Sequence, residues 1–191
     1  MTRLLSFKTL VLACTASLLI AAAEGTPLKT WDPANKLTWS DYRDTSFAGS
    51  KVRAALTNSG IIFSVKQQDE DVIVTCYSQM DPTRSYVDTA KKLPRVLQHE
   101  QYHFNITEYW SRKLKKDIAT GHFTVKNFKQ KAIDLQQEAN TKCKEMQVEY
   151  DAETKHSILK EEQKKWEQKI DELLKKTEQY SDKTVALTLQ S

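Results

Sequence analysis

No proline follows Pro94, and Gly121 is the one glycine beyond it. Those two residue types are what ordinarily interrupts a helix, so the second half of the chain is committed to helices joined at a turn near Gly121. The apolar spacing agrees. Val125, Phe128, Ala132, Leu135, Ala139, Cys143, Met146 and Tyr150 recur three and four apart, and so do Leu159, Gln163, Trp166, Ile170 and Leu173. Three helices are expected over about 94–180, the first running from Pro94 to about Lys116. The last ten residues read as a frayed end.

Upstream the period shortens. Ile61-Ile62-Phe63-Ser64-Val65 and Val72-Ile73-Val74-Thr75-Cys76-Tyr77 are β-branched and aromatic runs of strand length. The polar residues 67–71 separate them, Val52–Thr57 is a weaker strand, and Asn58-Ser59-Gly60 reads as a turn. The expected fold class is α+β: a small N-terminal antiparallel sheet, over about 36–90, packed on about three helices.

The extreme N-terminus stands apart. Arg3 and Lys8 precede an apolar run from Leu10 to Ala23 that closes on Ala21-Ala22-Ala23. A basic start, a short apolar middle and small residues at the end describe a secretory signal peptide over 1–23, cleaved after Ala23. The rival is lipidation at Cys14. Residues 24–191 then form a single domain, exported to the periplasm or the exterior, with no membrane span left after cleavage. Removing Arg3 and Lys8 from 29 basic side chains leaves 27 against 25 acidic ones. So small an excess gives no electrostatic case for nucleic acid as a partner. Export places Cys76 and Cys143 in an oxidising compartment, where one disulfide between them is expected. Nothing in the sequence speaks to oligomeric state.

The chemistry sits in His99-Glu100-Gln101-Tyr102-His103, an H-E-x-x-H pattern inside the first predicted helix. A spacing of four puts both imidazoles on one helix face, a turn apart, where they can grip one cation. Glu100 projects about 100° round the helix, placed to take a proton from water activated by zinc. Val96, Ile106 and Trp110 extend the same face, and burying two imidazoles and a carboxylate without a partner is costly. A third ligand must come from elsewhere. Ile106 and Tyr109 stand where the extended motif needs Gly and His, and Glu108 points to the opposite side of the helix. His156 is favoured, Asp151 is the carboxylate alternative, and His122 reads as a turn residue. Tyr150 is a candidate donor to a developing oxyanion.

At these residues the chain resembles a bacterial family of uncharacterised exported proteins described as predicted secreted zinc-dependent proteases. The pieces are Leu37-Thr38-Trp39-Ser40-Asp41-Tyr42, Ser85-Tyr86-Val87, the run Leu97–Glu108, Tyr150-Asp151 with Thr154 and His156, and Gln163 with Trp166. Together they cover most of the chain after the leader. The resemblance implies a metallopeptidase-like domain with a zincin-like active-site helix, His99 and His103 as ligands, Glu100 as base, and the segment from Tyr150 to His156 in the site. Tyr102 departs from the pattern, filling a place where the family often has Gly. The expected activity is zinc-dependent hydrolysis of a peptide or protein substrate. A zinc amidase acting on cell-wall material uses the same groups. A non-catalytic exported helical binding protein, its zinc structural or absent, is the reading from another class.

Overall fold

A computed structural model describes residues 27–44 and 54–191. The expected leader, its cleavage point and Cys14 lie outside the described residues. In chain order the elements are β1 (Lys29–Thr30), β2 (Ala55–Leu56), β3 (Ser59–Gln68), β4 (Asp71–Met80), β5 (Tyr86–Val87), α1 (Pro94–Thr120), α2 (Phe128–Thr154), α3 (Lys160–Lys176) and β6 (Thr184–Thr188). The class is α+β: three helices with antiparallel strands in two small sheets.

The larger sheet is built on β4. It pairs antiparallel with β3 along its whole length, from Ser59↔Met80 to Gln68↔Asp71. Its other edge is shared, with β6 on Asp71–Thr75 and β1 on Gln79–Met80. Ser59 and Gly60, expected in a turn, begin β3 instead. The tight reversal lies at Asp69–Glu70, where Asp69 adopts a left-handed φ of 54°. The smaller sheet is β2 against β5. Strand alternation is plain along β4: Val72, Val74, Cys76, Ser78 and Met80 are buried, while Ile73 between them is exposed.

The residues after Ser181 are not frayed. Thr184–Thr188 forms β6, Leu189 is buried, and the Leu189 N–H donates to Glu70 O at 2.7 Å. Val185, Leu187 and Leu189 alternate with polar or small residues, so the strand brings an apolar side to the core even at a chain end.

Helix α1 is the axis of the molecule. It packs against β3, β4 and β6, and also against α2 and α3. Leu114 and Ile118 join Val72, Val74, Phe123 and Phe128 in a sheet-side core. Ile106 joins Met146, Tyr150, Trp166 and Ile170 in a helix-side core. Each fully buried side chain of this size contributes roughly 1.5–3 kcal/mol. Gly121 ends α1, as expected, because a Cβ there would collide with the Phe123 ring and lie 2.8 Å from Asp117 O.

The expected disulfide is not formed: Cys76 and Cys143 are both buried free thiols. Cys76 faces the sheet-side core and its thiol donates to Ser111 O at 3.3 Å. Cys143 lies in the helix-side core. Helix α1 packs against both elements that carry them. Among the described residues no helix is long and apolar enough to cross a membrane.

Candidate metal centre

The H-E-x-x-H stretch is helical, as expected, and lies in the second and third turns of α1. The His99 and His103 rings are perpendicular, with Nε2 atoms 3.1 Å apart. Asp151, one turn before the end of α2, brings Oδ1 to 3.0 Å from each of those nitrogens. The third histidine arrives just after α2 ends. His156 Nδ1 is also 3.0 Å from Asp151 Oδ1. The structure therefore brings together both residues that competed for the third position. His122 is exposed beyond the other end of α1 and belongs to neither cluster of ligating groups found among the described residues.

Two glutamines fix the tautomers. Gln163 of α3 places Oε1 3.0 Å from His99 Nδ1, and its amide nitrogen donates to Tyr150 Oη and Glu167 Oε1. Gln147 of α2 accepts from His103 Nδ1, while its amide nitrogen donates to His103 O at 2.9 Å and Thr107 Oγ1 at 3.2 Å. With the amide nitrogens so engaged, the glutamine oxygens face the rings and each Nδ1 must be the donor. The Nε2 atoms then carry bare lone pairs and point at one another and at a carboxylate oxygen. A proton relieves one such contact; a cation relieves all of them. The four separations of 3.0–3.1 Å, three of them from Asp151 Oδ1, approach the edge of about 3.3 Å expected between neighbouring donors around zinc at 2.0–2.1 Å. The residues present fit a divalent ion.

The charges favour it as well. Burial pushes the Asp151 carboxyl up, but contacts with His103 and His99 outweigh that and hold it well below the usual carboxylate range. Burial pulls the His103 imidazole down, and Asp151 with Glu100 more than restores it, leaving it above its ordinary value. These are opposite faces of one negative pocket.

The donors differ in how firmly they are held. His99 is 3% exposed, stacked on the Tyr150 ring at 4.5 Å. The His156 side chain is 50% exposed. Its backbone is unusual: Lys155, His156 and Ser157 all take left-handed φ, at 47°, 52° and 73°, with no glycine among them. Each costs about 1–2 kcal/mol relative to the right-handed form. Hydrogen bonds close the turn, from His156 N to Asp151 O and from Leu159 N to Thr154 O. Arg95 of α1 reaches the Ser157 hydroxyl at 3.4 Å.

Glu100 is 4% exposed, with a carboxylate oxygen within 4.8 Å of a ring nitrogen on each of His99 and His103. Its Oε2 accepts from Thr57 Oγ1 at 2.6 Å, and Thr57 Oγ1 accepts in turn from Tyr42 Oη at 2.8 Å. The Thr57 hydroxyl proton is committed to Glu100, so Tyr42 Oη is the donor of that pair, and burial with the nearby Glu100 charge pushes its phenol well above its usual value. Tyr42 lay within a segment already singled out, but Thr57 and Gln147 carried no signal in the sequence. Gln163 did carry one, as a polar residue on an otherwise apolar stripe. Tyr150, expected as an oxyanion donor, is fully buried behind His99, where its hydroxyl donates to His99 O and accepts from Gln163. Glu108 points away from the site, as expected, and pairs with Arg112 at 2.7 Å.

A cleft of about 690 Å³ opens beside the cluster. His99, Glu100, His103, Asp151 and His156 line it together with the stretch Ala54–Ile61, which includes β2, and with Val148 of α2. A larger cavity of about 990 Å³, lined by Trp31 and Arg112, contains neither cluster of ligating groups.

Residues 78–157 match the model of a family described as "Bacterial protein of unknown function (DUF922)". The matched stretch is under half of the chain. It contains all four donors and Glu100, and it stops before Gln163. No curated protein matches the chain. No solved structure matches it either.

Proposed function

We propose that this protein is an exported zinc-dependent hydrolase of peptide bonds, with Glu100 as its general base. The observation that carries the reading is Asp151 Oδ1 lying 3.0 Å from a nitrogen of each of His99, His103 and His156, with a buried carboxylate beside them and an open cleft in front. Those four residues would hold the ion. Bound there, zinc supplies Lewis-acid polarisation of a carbonyl and a lowered pKa for water.

The chain's own groups do the rest. Thr57 holds Glu100 Oε2, which leaves Oε1 as the oxygen that takes a proton from the attacking water and returns it to the departing amine. Gln163 and Gln147 keep the two imidazoles in one tautomer throughout. The stretch Ala54–Asn58 supports a peptide over a cell-wall amide. It runs along the cleft, and among the described residues β2 within it pairs with β5 alone, so its other edge suits an extended chain added as a further strand. Export is supported by the character of residues 1–23.

One observation favours a second reading. Four candidate protein ligands are the number that closes a structural zinc site in a non-catalytic protein. The deciding experiment compares zinc-loaded wild type with Glu100→Gln on casein. The proposal expects the variant to keep its zinc and lose turnover by about 100-fold or more. Equal turnover would place the activity elsewhere. A wild type that holds zinc but cleaves nothing would favour the closed structural site.

A further inference from the structure

We infer that His156 is an exchangeable fourth ligand, a latch that closes the metal site at rest and swings out of it when a substrate group arrives. This rests on the reading of the cluster as a zinc site. It also resolves the conflict between a complete donor set and a catalytic cleft.

The four donors are unequal. His99 and His103 are mounted on α1, and each has a glutamine behind its Nδ1. Asp151 is mounted on α2. His156 is carried by a turn outside both helices, and among the described residues no glutamine or other side chain braces its second nitrogen. Its side chain is half exposed and lines the cleft, so it has room to rotate away. It binds through Nδ1, the nitrogen nearer the backbone, whereas His99 and His103 offer Nε2.

The backbone points the same way. Three successive left-handed residues without glycine are held only where their surroundings demand it. A metal bond at His156 is such a demand. The turn also has hydrogen bonds of its own, from His156 N to Asp151 O and from Leu159 N to Thr154 O, so the His156 ring can leave by side-chain rotation while the turn that carries it stays closed. Ser157 is tied to Arg95, so the motion is confined to the side chain just before it. What remains is His99, His103 and Asp151 with one position open to the cleft that Glu100 also lines, the arrangement of a catalytic site.

The test uses the full mature protein with cobalt(II) in place of zinc, whose visible spectrum reports coordination number, and acetohydroxamate as the probe. His156→Ala should bind zinc about tenfold more weakly than wild type, while His103→Ala should lose zinc by about a thousandfold. Acetohydroxamate should bind cobalt-loaded His156→Ala about tenfold more tightly than wild type, because nothing need be displaced. Zinc loss in His156→Ala equal to that in His103→Ala overturns the latch, and so does unchanged hydroxamate affinity. Should His156→Ala fail to fold, imidazole nitrogen NMR of zinc-loaded wild type decides. Hydroxamate should remove the single Nδ1-bound resonance and leave two Nε2-bound ones; three unchanged bound rings refute the proposal. A wild type that takes up neither metal would overturn the zinc reading itself, a result distinct from a metal-loaded protein whose His156 stays put.

Discussion

Gln163 Oε1 lies 3.0 Å from His99 Nδ1, joining the start of α3 to the second turn of α1 across most of the helical half of the chain. The same amide donates to Tyr150 and Glu167, so its orientation is fixed before any metal arrives. Gln163→Ala should therefore weaken zinc binding by about 10–100-fold, the usual cost of losing a ligand's outer partner. Gln163→Glu, which restores an acceptor, should recover part of the loss. Competition against a zinc-binding dye measures both. Equal affinities in all three proteins would mean that packing alone orients the ring.

Thr57 stands between Tyr42 and Glu100, donating to one and accepting from the other. Thr57→Val keeps the shape and removes the hydroxyl, leaving the Glu100 carboxylate short of its donor. Turnover of a peptide substrate should fall by about tenfold or more, with zinc content unchanged. Thr57→Ser should retain most of the activity. If the valine variant turns over normally, Glu100 is positioned by something other than this chain of hydrogen bonds.

Much of this was legible in one stretch of sequence. The spacing of His99 and His103 prescribes a shared helix face, and Pro94 and Gly121 bound the helix that provides it. The choice between Asp151 and His156 was not legible. Residue spacing gave no reason for both to face one point; the left-handed turn after Thr154 does that by folding His156 back over the end of α2. Thr57 was invisible for a related reason. It comes from the β2–β3 connection, and only tertiary packing sets that segment against α1. The β6 strand replaces the expected frayed end because Val185, Leu187 and Leu189 alternate, and pairing with β4 puts that apolar side into the core. The expected disulfide is absent because Cys76 and Cys143 enter different cores, which compartment and cysteine number do not specify.

Metal loading should respond to acid in a defined direction. His103 binds its proton above the ordinary value of 6.5, so protons compete with zinc for that ring up to neutral pH. Asp151 holds its charge to lower pH than usual and is not the group that fails first. Zinc at about a thousand times its dissociation constant should stabilise the fold by about 4 kcal/mol. Thermal unfolding with zinc and with EDTA should show that difference near pH 8, and it should shrink as the medium is acidified, by about 1.4 kcal/mol per pH unit for each proton that zinc must displace. A zinc-dependent shift in Tm of equal size at pH 8 and pH 5 would exclude His103 as a ligand.

The two thiols make a prediction at the other end of the scale. Burial pushes Cys76 up to about 12 and Cys143 up to about 11, from ordinary values of 9. A neutral thiol is unreactive, so neither should be alkylated by iodoacetamide in the folded protein at pH 8, and both should react once the chain is unfolded. Folding raises both values, so the stability tied to the buried thiols is complete below pH 9. Above that, the unfolded chain sheds thiol protons that the native state keeps, and stability declines as pH rises towards 11 and 12. Replacing Cys143 with Ala should flatten that alkaline decline while costing about 1 kcal/mol at neutral pH through lost packing. Denaturant titrations of both proteins at pH 7 and pH 10 measure the difference. Rapid alkylation of native protein would refute their burial, whereas thiols that stay unreactive in the unfolded, unreduced chain, or a mass two hydrogens below the reduced chain, would restore the disulfide.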